Sequence, residues 1–168
     1  MQPVVITIMG KDKTGIVDTL AKVVYQHGGN WQSSSFAHMA GMFTGFVEVQ
    51  VPQDRHEELV AALNGLPDLE VQAVSLTGTT GSFNETLTVE VMGNDKPGIV
   101  QELTATLNQF NLNIVSFDSG VESAANWGSL MFKARARLAV PEAFNRDALQ
   151  SALENLANDL VVDISTQE

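Results

Sequence analysis

The sequence predicts an α+β fold in which two βαββαβ sandwiches stand in tandem, each a four-stranded sheet with two helices on one face. Three observations carry this reading. The stretches GKDKTGIV (10–17) and GNDKPGIV (93–100) are near copies. Each lies between a β-branched, strand-like run and a run with helical spacing. A constant offset of 83 lays Gly10 on Gly93, Asp12 on Asp95, Lys13 on Lys96, Gly15 on Gly98, Ile16 on Ile99, Val17 on Val100, Leu20 on Leu103 and Asn30 on Asn113.

The elements follow in order. VVITIM alternates Val4, Ile6 and Ile8 on one side, and TLTVEVM does the same with Leu87, Val89 and Val91, as half-buried first strands should. Ile16, Val17, Leu20, Val23 and Val24 then recur at helical spacing, as do Ile99, Val100, Leu103, Leu107 and Phe110. His27-Gly28-Gly29-Asn30 and Asn111-Leu112-Asn113 are the stop signals. Two strands follow in each copy, about 31–39 with 43–51 and about 114–121 with 128–140. Near VESAANWGS the second copy carries about six extra residues, which places the insertion in a loop. Pro52 and Pro141 end the third strands and open second helices over DRHEELVAALNGL and EAFNRDALQSALENLAN; LEVQAVSL and LVVDIST close the units. The order is that of a ferredoxin-like sandwich, twice. The expected organisation is a first domain over 1–77, a small polar linker over 78–85 and a second domain over 86–168. Units this small are marginal alone, so the halves are expected to pack together and the chain to form a homodimer.

Composition narrows the function. The 168 residues include 20 acidic and 9 basic side chains, a net charge of −11, and both halves are acidic. A surface that neutralises nucleic-acid phosphates is therefore not expected, and any role in gene control would run through another protein. There is no cysteine, hence no disulfide or thiolate site, and no apolar run long enough to cross a bilayer; a cytoplasmic location is expected. His27, His38 and His56 lack metal-ligand spacing, no cofactor is implied, and no Ser/His/Asp grouping or environmentally separated carboxylate pair suggests an enzyme.

The repeated loop is the candidate site. Its first glycine permits a sharp turn after the strand, and its second permits close approach to the first helical turn. Pro97 suits a helix start. Free N–H groups and partial positive charge at that end can seat a carboxylate. Asp12 and Asp95 either cap the helix, the reading favoured from the loop alone, or accept a ligand ammonium. A P-loop is excluded, because Ile16-Val17 and Ile99-Val100 stand where Lys and Ser/Thr must meet phosphate and magnesium.

This pattern, G-x-D-x-[TP]-G-I-V after a first strand with Asn-Trp or Asn-Ile opening the second, resembles the ACT domain, over essentially the whole chain as two copies. The resemblance implies that small ligands, often amino acids, bind at interfaces between such units, held by the loop and by the start of the second strand. Carried over, the ligand-binding positions are Gly10, Asp12, Gly15 and Asn30, and Gly93, Asp95, Gly98 and Asn113. Thr14 departs from the usual proline. A free-standing ACT pair further implies a non-enzymatic regulator that senses a small amino acid, glycine by resemblance, and represses transcription indirectly through a partner activator. The alternatives are an interaction scaffold that binds no ligand, or an acylphosphatase-like hydrolase. The hydrolase would need an arginine in the first loop, where only Lys11, Lys13 and Lys96 are on offer.

Other residues give weaker signals. In LMFKARARLAV, Leu130, Phe132, Ala134, Ala136 and Leu138 are expected to face the helices, and Lys133, Arg135 and Arg137 the open sheet face. The three cations form a candidate partner surface, although pairing with Glu90 and Asp163 across the sheet is favoured. Thr44, Phe46 and Glu48 occupy the matching places in the first unit, where an exposed Phe46 is a candidate contact. Ser33 to Ser35 are candidate pocket residues. Trp31 and Trp127 read as core or hairpin packing. An RNA-binding reading of the topology fails because MFTGFVEV lacks basic residues.

Overall fold

The computed structural model describes residues 1–76, 81, 83, 85–124 and 128–167. The linker expected over 78–85 and Trp127 therefore fall largely or wholly outside the described residues. The chain divides into two compact units, Met1–Thr80 and Gly81–Glu168.

In the first unit, β1 (Gln2–Lys11), α1 (Ile16–Gln26), β2 (Asn30–Met39), β3 (Met42–Val51), α2 (His56–Asn64) and β4 (Leu69–Ser75) form a βαββαβ sandwich. The second repeats it with β5 (Thr86–Asn94), α3 (Ile99–Gln109), β6 (Asn113–Ser123), β7 (Leu130–Ala139), α4 (Arg146–Glu154) and β8 (Val161–Gln167). Strand order is β2-β3-β1-β4 in one sheet and β6-β7-β5-β8 in the other. All pairs are antiparallel, with the first strand of each unit central.

Alternation along the central strands builds both cores. Val4, Ile6 and Ile8 of β1 face Val47, Val49 and Val51 of β3 neighbours and the stripe Ile16, Leu20 and Val24 of α1. Leu87, Val89 and Val91 pack likewise with Ile99, Leu103 and Leu107 of α3 and Leu149 and Leu153 of α4. The helical stripe is narrower than the sequence suggests: Val17 and Val100 are each 40% exposed. They follow the first stripe residue by one position, about 100° around the helix. The helices stop as expected, with Gly28 (φ 69°) and Asn111 (φ 55°) in the left-handed region. There Gly29 N–H reaches back to the Val24 carbonyl and Leu112 N–H to that of Leu107.

Three expectations need correction. The second helices do not open at the prolines. Pro52 leads first into a 3-10 turn, Gln53–Arg55, and α4 begins only at Arg146. Asn145 sets that start, its Oδ1 accepting from Ala148 N–H at 3.0 Å. The insertion is not all loop. Where Ala40 and Gly41 alone join β2 to β3, the second hairpin adds the pair Ser123 and Leu130 before a connection over 124–129. Leu130 sits on that extension, on the same side of the strand as Phe132, but it is 56% exposed and so is not covered by the helices as expected.

Candidate functional site

Each loop leaves the top of a central strand and enters a helix. Gly15 (φ 88°, ψ 11°) and Gly98 (φ 84°, ψ 1°) are the N-caps of α1 and α3. In the second copy Ile99 N–H donates to the Lys96 carbonyl at 3.3 Å. Together with the Gly98 dihedrals this is a type II turn, with Pro97 at its second residue and glycine required at its third. Pro97 thus precedes the N-cap instead of occupying the first helical position. Gly15 has nearly the same dihedrals as Gly98, so a proline is expected to suit position 14 as well. Thr14→Pro is therefore expected to stabilise the first unit by about 0.4–1 kcal/mol by restricting the unfolded chain. A lowered urea midpoint in that variant would show that the Thr14 N–H is in use.

The first glycines do something other than turn the chain. Gly10 and Gly93 are buried within β1 and β5. A Cβ on Gly10 would lie 2.4 Å from the Asp68 carbonyl oxygen, and one on Gly93 2.9 Å from Leu160 Cδ1. Both let the start of the last strand pass close by.

Asp12 and Asp95 do not cap. Neither helix receives a side-chain hydrogen bond at its N-cap. The loops are held instead through main chain: Asp12 N–H to the Gly41 carbonyl at 3.4 Å and Asp95 N–H to the Leu130 carbonyl at 2.9 Å. Both side chains are exposed; that of Asp12 lies 3.8 Å from His38 Nε2. The lysines are engaged locally, Lys13 with Asp68 at 3.7 Å and Lys96 with Glu102 at 2.7 Å.

Within each unit the asparagines are not brought to the loops. Gly10 pairs with Phe43 but Asn30 with Gln50, and Gly93 with Phe132 but Asn113 with Ala139. Seven strand residues separate them, roughly 23 Å at the rise of an antiparallel strand.

The two loops have different surroundings. In the second unit, Asp95, Gly98 and Val100 join Ser119, Val121 and Phe132 around a groove of about 610 Å³. In the first, a concavity of about 370 Å³ touches Gly10 and Lys11 from the β4 side, lined by Met9, Met42, Asp68 and Leu69. Ser33 and Ser34 are tied up, Ser33 donating to Glu48 and Ser34 accepting from Trp31 Nε1, and Trp31 packs against the core as expected.

On the open face of the second sheet, Arg135 Nε is 3.5 Å from Glu90 Oε1, and Lys133 pairs with Glu122. Asp118 and Asp163 flank the same row. Arg137 lies between Thr88 and Ser116. Lys133 and Arg135 thus lie among carboxylates, as cross-strand pairing requires, whereas Arg137 faces hydroxyl residues on both neighbouring strands. Phe46 is 52% exposed on the first unit's open face. Among the described residues no cluster of three or more His, Asp or Glu could hold a metal, and no helix is long and apolar enough to cross a membrane.

Residues 2–74 and 85–167 each match the family model described as the ACT domain. No curated protein sequence matches the chain at a significant level. Among solved structures, a protein of unknown function from Galdieria sulphuraria superposes with TM-score 0.84 at 24% identity, over 99% of both chains. A candidate glycine cleavage system transcriptional repressor does so with TM-score 0.67 at 22% identity, over 99% of this chain and 98% of its own.

Proposed function

The chain belongs to the ACT-domain family, and from that membership we propose that it is a non-enzymatic regulator that binds a small α-amino acid at its strand-to-helix loops. The carrying observation is that both loops present an exposed aspartate, unused as a cap, beside the first turn of a helix. That pair of features suits a zwitterion. The carboxylate would meet first-turn N–H groups that have no intrahelical acceptor, and the ammonium would meet Asp12 or Asp95.

Since the asparagines lie far from the loops of their own units, a site using both needs the loop of one ACT unit and the asparagine of another, which a second copy of the chain is proposed to supply. A homodimer is part of the proposal for that reason. A ligand acts on such an assembly only through different affinities for its alternative states. The net charge of −11 opposes contact with phosphates, so the output is proposed to pass to a separate protein in the cytoplasm, a transcriptional activator. Likeness to the candidate glycine cleavage repressor makes glycine the first ligand to try.

Glycine or another small amino acid is expected to raise Tm, and alanine at both Asp12 and Asp95 to abolish the rise. A rise that survives the double substitution removes these loops from the site.

A further inference from the structure

We propose that the duplicated loops have diverged into one ligand seat and one closed copy: the groove beside Asp95 and Gly98 takes the amino acid, while Phe36 and His38 shut the equivalent place in the first unit. The inference rests on the amino-acid reading above and adds which unit carries it.

Strand register fixes the equivalence. Phe36 pairs with Gly45 as Ser119 pairs with Ala134, and His38 pairs with Phe43 as Val121 pairs with Phe132. All four outer-strand residues point to the helix side of their sheets. In the first unit the Phe36 ring stacks on Phe43, centroids 5.4 Å apart at 16°, and leans on Trp31 at 6.2 Å. It lies down onto β3 because Gly45 leaves the space: a Cβ there would sit 2.5 Å from Phe36 Cδ1. His38 then comes to 3.8 Å from the Asp12 carboxylate, so the aspartate faces a protein side chain.

The second unit makes the opposite choice at both places. Ser119 opposes Ala134, so neither residue carries a ring into the space beside α3, and Val121 has no group that could engage Asp95. The result is the groove of about 610 Å³ onto which Asp95 and Gly98 open. A ring over glycine in one copy and two small residues in the other are matched sets, each consistent within itself.

The test is a titration of the full chain with glycine and with alanine, read by calorimetry and by amide spectra of the ¹⁵N-labelled protein. One ligand per chain is expected, with the Gly98 and Gly120 amides shifting saturably and those of Gly15 and Gly45 holding still. Ser119→Phe should weaken binding at least tenfold, whereas Phe36→Ala should leave the first affinity intact or add a second, weaker site. Should Ser119→Phe fail to fold, Val121→His and the wild-type spectra decide the matter alone. Two equal sites, shifts at Gly15 matching those at Gly98, or unchanged affinity in a folded Ser119→Phe protein would overturn the single seat and leave the amino-acid reading standing. Neither heat nor shift with any common amino acid would remove both.

Discussion

Leu107→Ala is expected to destabilise the second unit by about 2–5 kcal/mol, the usual range for emptying a leucine site in a packed core. Leu107 is fully buried on α3, within the cluster that joins Leu103, Leu112, Leu149 and Leu153 to the helix side of β5 and β7. Its carbonyl also accepts from Phe110 and Leu112, so the end of α3 is anchored at the same residue. Little else can fill the gap, since its neighbours are themselves buried and fixed by the sheet register. Because two units need not unfold as one, the measurement should be local: hydrogen exchange at Val89 and Val91, in the middle of β5. Protection lowered by less than about 1 kcal/mol would mean that α3 is not seated on the sheet as described.

The second large effect separates the two copies of the motif. Gly10→Ala is expected to cost about 1–3 kcal/mol, because the new methyl would meet the Asp68 carbonyl at 2.4 Å and a backbone atom cannot rotate away. Gly93→Ala should cost less than about 1 kcal/mol. Its nearest obstacle is the tip of Leu160, a side chain with other rotamers, and the Asp159 carbonyl lies at 3.4 Å. Urea denaturation of the two variants, followed by exchange at β1 and β5, checks the ranking. Equal costs would show that the first glycine serves the loop and not the passage of the neighbouring strand.

These differences mark where the sequence was readable. The strands and their order were legible because alternation translates directly into a buried face: Val4, Ile6, Ile8, Leu87, Val89 and Val91 are all in the cores. The repeat made the topology legible twice over. Roles that depend on what lies across the fold were not. Gly10 looked like a turn residue because the approach of Asp68, 58 positions away in the chain, leaves no local trace. Asp12 and Asp95 looked like caps because their spacing from the helix suits one, yet the intervening type II turn carries the side chain away from the free N–H groups. The separation of Asn30 from its own loop could have been deduced, since a helix that returns along the sheet must deliver its successor strand to the opposite end. Phe36 and Ser119 offered a signal that was overlooked: they are equivalent under the 83-residue offset and chemically unlike, which is where duplicated copies part company.

The outer strand of the second hairpin bears on how the sheet could associate with others. At eleven residues, β6 is an outer strand with one side unpaired in its own sheet, the kind of border along which sheets can fuse into larger aggregates. Its carboxylates discourage one such fusion. Two copies of β6 aligned head to tail about Gly120 would set Asp118 of each against Glu122 of the other, so that this mode of zipping brings like charges face to face.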